Sequence, residues 1–185
     1  MMALALSKRV VVLHRALDGA GLPHAFGGAL ALAFCTLEPR ATKDIDVNVF
    51  VGPGRLDEVV RALPDAIEVS KPQRASLRRD GQVRLWWDET PVDVFLSNHP
   101  FHGRAELGRR FVPFAGLNEL PVLACADLAV FKAFYARPKD VVDVATMAVA
   151  GAIDTKEVQA VVRGLLGSGR DPFFAQVRDA ADQMS

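Results

Sequence analysis

The chain has 185 residues, with 22 basic and 22 acidic side chains, and half of its residues are hydrophobic. That composition excludes a disordered or low-complexity polypeptide, and zero net charge excludes attraction of nucleic acid by the molecule as a whole, leaving only a local basic patch for such a contact. No apolar run approaches the roughly 18 residues needed to span a bilayer, so the expectation is a soluble, cytoplasmic protein with no membrane partner.

Ser7 is placed to cap a helix running to about residue 18, with Val10, Leu13, Ala16 and Leu17 on its apolar face, and Gly19 and Gly21 end it. A short strand over 24–26 runs into Gly27-Gly28, and an apolar helix over 29–36, lacking a polar face, is expected to be buried. The polar connector 38–43 leads to an apolar strand over 44–51, which Gly52-Pro53-Gly54 breaks. An amphipathic helix is expected over 55–63, then a short strand over 66–69 and a basic helical turn over 74–79. Asp80-Gly81 reads as a hairpin turn launching a strand over 83–87, and Thr90-Pro91 turns the chain into a strand over 91–97. Segments 111–114 and 120–123 are expected to pair around Gly116. Beyond Cys125 the chain reads helical, over 126–135, 138–150, 155–166 and 171–183, with Pro138 at a first helical position and Thr155 and Asp171 as N-caps. The expected organisation is an α/β core over 1–124 and a helical subdomain over 125–185.

Chemistry concentrates on the first half. Asp44 and Asp46 are two residues apart on a strand, so they project from one side and repel unless a cation lies between them. Carboxylates suit Mg²⁺, which also takes substrate phosphates. Asp93 is the one acid within another apolar strand, where burial without a counter-charge is costly. Gly27-Gly28 stands between a strand and a helix, where backbone amides and a helix N-terminus can face a phosphate. Arg40 can bind phosphate or pair with a site acid, and Thr42 can orient Asp44. Three carboxylates on neighbouring strands beside a glycine turn point to metal-assisted phosphoryl or nucleotidyl transfer. In the helical part, Lys132 sits on an otherwise apolar helix and requires an anion, either a triphosphate or an internal partner among Asp140 and Asp143.

The remaining polar groups carry weaker signals. His14, His24, His99 and His102 have no zinc-ligand spacing and are expected to be structural or exposed. Cys35 and Cys125 are far apart and are expected to be small buried side chains in a reducing compartment. Arg74, Arg78, Arg79, Arg104, Arg109 and Arg110 are the candidates for a basic patch, and one of Trp86 and Trp87 should pack while the other is exposed.

The order Gly27-Gly28-Ala29, Arg40-x-Thr42-x-Asp44-Ile45-Asp46, Val92-Asp93-Val94 and Lys132-x4-Arg137-x-Lys139-Asp140-x2-Asp143 resembles nucleotidyltransferases of the DNA-polymerase-β-like superfamily, and within it the AbiEii/MenT-like toxin nucleotidyltransferases. The resemblance covers residues 22–145. It implies an α+β fold, a small mixed sheet flanked by helices with a helical C-terminal part. It implies an enzyme that moves a nucleotidyl group from a nucleoside triphosphate to an acceptor hydroxyl with two Mg²⁺ ions, or Mn²⁺. Asp44 and Asp46 would hold the ion carrying the triphosphate, and with Asp93 the ion at the attacking hydroxyl. Asp44, Asp46, Asp93 and Lys132 would be catalytic, and Gly27, Gly28, Arg40, Thr42, Lys132, Arg137 and Asp140 would bind nucleotide. The implied acceptor is tRNA and the implied protein partner a cognate antitoxin.

One position departs from the pattern. Many active members carry Ser or Thr after the glycine pair, and this chain has Ala29. The alternatives are therefore a nucleotide- or partner-binding protein of the same fold without catalysis, and, among enzymes, an antibiotic-modifying nucleotidyltransferase.

Overall fold

A computed structural model describes residues 5–39 and 41–184. These form two compact units, one from the described residues up to 30 and from 41 to 123, the other from 31 to 39 and from 124 to 184.

The first unit is built on a sheet. Its strands are β1 (His24–Phe26), β2 (Ile45–Val49), β3 (Gln82–Trp87), β4 (Thr90–Leu96), β5 (Arg110–Phe114) and β6 (Leu117–Val122). They lie in the order β3-β4-β2-β1-β6-β5, so β2 and β4 are interior strands and β3 is an edge. The β2–β4 and β1–β6 pairs are parallel and the others antiparallel, which makes the sheet mixed. Alternation assigns the two faces. Ile45, Val47, Val49, Leu85, Trp87, Val92, Val94 and Leu96 are buried on one, while Arg84, Trp86, Asp46 and Asp93 on the other retain contact with solvent. Each fully buried Leu, Val or Ile here contributes about 1.5–3 kcal/mol from water exclusion. The helices of this part are α1 (Leu6–Gly19), the start of α2 (Gly28–Thr36), α3 (Leu56–Ala62), α4 (Lys71–Asp80) and α5 (Phe101–Gly108).

Several expected boundaries move, each for a local reason. The cap of α1 is Ala5, and Ser7 lies within its first turn. Residues 66–69 are not a strand. They lead into Ser70, whose hydroxyl accepts from the Gln73 amide while the Gln73 side chain accepts from the Ser70 amide, a capping box that starts α4. Gly81 is the left-handed C-cap of that helix, with φ 68°, so Asp80-Gly81 ends a helix instead of turning a hairpin. The hairpin between β3 and β4 turns at Asp88-Glu89, and Pro91 lies inside β4 opposite Trp86.

His24 in β1 adds a pH-sensitive element to this unit. Its Nδ1–H donates to the Leu22 carbonyl at 2.8 Å, which leaves Nε2 to accept from His14 Nδ1–H at 2.9 Å. The His24 ring is therefore neutral in this arrangement. Burial, with Arg109 and His14 adding to it, lowers the His24 pKa to about 4, against the opposing pull of the Leu22 carbonyl and Asp18. The unfolded chain binds this proton near pH 6.5 and the folded chain only near 4, so stability rises with pH across that window. Between pH 7 and 5 the fold should lose roughly 2 kcal/mol. Urea titrations at the two pH values check this, and a His24→Gln variant should show a flatter profile.

The second unit is helical: α6 (Cys125–Tyr135), α7 (Pro138–Val149), α8 (Thr155–Leu166) and α9 (Asp171–Met184). Asp154, one residue before the expected cap, accepts from the Lys156 and Glu157 amides at 2.7 and 3.3 Å. Asp171 at the start of α9 accepts from both arms of Arg163 at 2.8 Å and from Gln159 at 2.9 Å. Cys35 and Cys125, expected to be separate thiols, form a disulfide across 90 residues of sequence. That bond removes the unpaired cysteines as an argument for a reducing compartment. Among the described residues no helix is long and apolar enough to cross a membrane.

Candidate active site

The strand register gathers three of the site positions. Asp46 on β2 stands opposite Asp93 on β4, and Asp93 stands opposite Arg84 on β3, so the three form one row across the half-exposed face. Asp44 precedes β2, and Thr42 Oγ1 donates to its Oδ1 at 2.5 Å. Removing that hydroxyl would free the Asp44 carboxylate to rotate.

The glycine pair packs directly on this row. The Gly27 amide donates to the Asp46 carbonyl at 2.9 Å, tying the β1–α2 turn to β2. That amide is thus already engaged by the protein. A Cβ at Gly27 would lie 3.2 Å from Leu123 and 3.3 Å from Asn48. Gly28, at φ 53°, opens α2, and a Cβ there would fall on the Asp46 Oδ2 and 2.6 Å from its Cγ. The first-turn amides of a helix lack intrahelical partners and carry partial positive charge, so the Gly28 turn sets a helix N-terminus beside the Asp46 carboxylate. Ala29 follows within α2. Arg40 lies outside the described residues.

Arg84 was not among the residues singled out by sequence. Its Nε donates to Asp93 Oδ1 at 2.8 Å and its Nη2 to Oδ2 at 2.6 Å. The hydrogen bonds to Asp93 raise the arginine pKa further, with Asp93, Asp44 and Asp46 all adding to the effect. No sequence spacing signals this pair, because it depends on cross-strand register. Among the described residues no three His, Cys, Asp or Glu side chains are gathered as a cation-holding group. Asp93 is turned onto Arg84 and Asp44 onto Thr42. The donor chemistry still suits a hard cation, with carboxylate oxygens on adjacent strands of one face.

The remaining expected residues lie in the helical unit. Lys132 is buried, and its Nζ donates to Asp143 at 2.6 Å and Asp140 at 3.4 Å. Asp140 also accepts from Arg137 Nε at 2.7 Å and from the Arg137 amide at 3.1 Å, closing the start of α7. Burial works to raise the Asp140 pKa, and Arg137 and Lys132 together outweigh it, holding the carboxyl below its ordinary value. The internal partner expected for Lys132 is thus present. Lys132→Met would leave two buried acids without their shared cation, at a cost of about 3–5 kcal/mol. Guanidinium unfolding measures this loss, and a Lys132→Met/Asp143→Asn double variant should recover part of it. Of the arginines considered for a basic patch, Arg74 pairs with Asp57 and Arg79 with Asp80, while Arg109 packs over Phe50 and Phe111.

No family model matches the chain, and no curated protein matches it. Solved structures do. The antibiotic-resistance factor ANT(2'')-Ia in solution aligns with a TM-score of 0.56 and 13% identity over 96% of this chain and 97% of its own. The chain has the nucleotidyltransferase fold. A crystal structure of ANT(2'')-Ia in complex with adenylyl-2''-tobramycin gives 0.52 and 16% over 94% and 97% of the two chains. An antigenic nucleotidyltransferase-like protein from Paracoccidioides brasiliensis gives 0.51 and 15% over 94% and 92%. At these identities the likeness establishes the architecture, a six-stranded mixed sheet flanked by helices and followed by C-terminal helices.

Proposed function

We propose that the chain is a nucleotidyltransferase that moves a nucleoside monophosphate from a nucleoside triphosphate to an acceptor hydroxyl. The observation that carries this reading is the row of Asp46 and Asp93 in register, with Gly28 packed against the Asp46 carboxylate in a nucleotidyltransferase fold. Asp44, Asp46 and Asp93 would hold Mg²⁺, in two ions, or Mn²⁺. The bound metal supplies charge neutralisation for the triphosphate and a lowered pKa for the acceptor hydroxyl. Thr42 fixes the rotamer of Asp44. Gly28, by lacking a side chain, lets the helix N-terminus lie against Asp46, so that its amides and a cation held by Asp46 would face the same phosphates. Asp93 takes the acceptor's proton as the hydroxyl oxygen bonds to the α-phosphorus, and the bond to the departing pyrophosphate breaks.

The acceptor separates two versions. The resemblance in sequence favours tRNA, with the chain as the toxin of a toxin–antitoxin pair. The solved ANT(2'')-Ia complex favours a small molecule, because what it holds is an adenylylated antibiotic. A feature of this chain supports the second. Trp86 lies on the carboxylate face, one pleat from Arg84, and its exposed ring lines an open cleft with Asp65, Glu68 and Ser70, a setting suited to an amine-bearing acceptor. The test incubates the protein with each α-labelled triphosphate and Mg²⁺, together with total RNA, cell extract or an amine-rich antibiotic. Label on RNA identifies the toxin version and label on the antibiotic the resistance version. Nucleotide-dependent thermal stabilisation with no labelled product would replace both with a non-catalytic binding protein, the reading that Ala29 favours.

A further inference from the structure

The clearest feature that the proposed chemistry leaves unused is Arg84. We infer that Arg84 is a resident counter-ion for Asp93 that competes with a divalent cation for this carboxylate, and so sets the metal concentration at which the three acids act together. This rests on the nucleotidyl-transfer reading above.

The geometry is that of an occupied ligand. Arg84 engages both oxygens of Asp93, at 2.8 and 2.6 Å, in the fork-to-fork arrangement that guanidinium and carboxylate favour. An oxygen so bound is unavailable to a metal until the arginine withdraws. Arginine keeps its charge throughout the accessible pH range, so protonation changes on its side cannot release the pair. A competing cation can, because it draws on Asp44 and Asp46 as well as Asp93.

Arg84 is also placed to withdraw at little structural cost. It lies on edge strand β3, and its side chain is 53% exposed against 17% for Asp93. Its backbone carbonyl accepts from Gln73 Nε2 at 3.2 Å, and its strand pairs with β4 along six positions. Release is therefore a rotation of one long side chain into solvent while the strand stays paired. With no metal bound, the same side chain relieves the repulsion between Asp46 and Asp93, which face each other in register. Cation binding then divides into two steps. Asp44 and Asp46 can receive a first ion with the Arg84–Asp93 pair intact, and a second ion requires the pair to open. Arg84 is thus a positioning residue that acts through Asp93.

The test titrates Mn²⁺ into the full chain in the presence of a non-hydrolysable triphosphate, counting bound ions by electron paramagnetic resonance. Wild type is compared with Arg84→Met, Arg84→Gln and Arg84→Lys, each also in an Asp93→Asn background, with thermal melts confirming the fold. Arg84→Met and Arg84→Gln should bind the second ion at least about fivefold more tightly. The first ion should be unaffected, and Arg84→Lys should fall between these variants and wild type. With Asp93→Asn the gain should vanish, as expected for a pairwise effect. An unchanged or weaker second ion in both neutral variants, or an equal gain without Asp93, overturns the inference and leaves the nucleotidyl-transfer reading standing. No Mn²⁺ bound by wild type or by any Arg84 variant overturns both.

Discussion

Asp46→Asn is expected to lower nucleotidyl transfer by at least about 10³-fold while leaving the melting temperature nearly unchanged. The two halves of that expectation have one cause. Asp46 stands in register with Asp93, so part of what its charge meets in the folded protein is repulsion from that neighbour. Replacing it with a neutral side chain of equal size relieves that repulsion and removes a metal ligand. A residue retained for structure would behave in the opposite way, with stability falling and any activity following it. Parallel assays of labelled product and thermal unfolding separate the two cases. Undiminished transfer by Asp46→Asn would remove the carboxylate row from the account.

The second large effect is expected at Gly28, where one methyl group acts on both stability and chemistry. An alanine Cβ there would overlap the Asp46 carboxylate, and the backbone at φ 53° disfavours any side chain. Gly28→Ala should cost about 1–2 kcal/mol through the left-handed backbone alone. It should cost more in function, because a metal ligand or phosphate displaced by about 1 Å can lower a rate by 10²-fold. Gly19→Ala is the control. A Cβ at Gly19, in the last turn of α1, meets nothing within 4 Å, so this change should leave transfer intact. Steady-state kinetics on the two variants measure the contrast, and equal activity would show that the turn does not position Asp46.

How far the sequence could be read depends on the range of each interaction. The strand–glycine–helix unit from His24 to Thr36 was legible because apolar patterning and glycine placement are local. So were the Asp93 strand and the helical part beyond Cys125. The Asp80-Gly81 signal was ambiguous for a physical reason, since glycine serves both a hairpin and a helix C-cap, and the Ser70–Gln73 box upstream decides for the helix. Helix α5 escaped notice, for its apolar Phe101, Ala105 and Leu107 are interrupted by Gly103 and bounded by Pro100. Interactions that join distant segments were not legible at all. The Arg84–Asp93 pair, the His14–His24 contact and the Cys35–Cys125 bond each need the fold before they can be seen.

The central claim is that the acids on this sheet face form a metal-dependent nucleotide site, and it can be tested without knowing the acceptor. The measurement is calorimetric titration of a non-hydrolysable triphosphate into wild type and Asp46→Asn, with Mg²⁺ and with chelator. Saturable binding by wild type that requires Mg²⁺ and is lost in Asp46→Asn is the predicted result. No binding by wild type, or equal binding by Asp46→Asn or without Mg²⁺, would contradict the account.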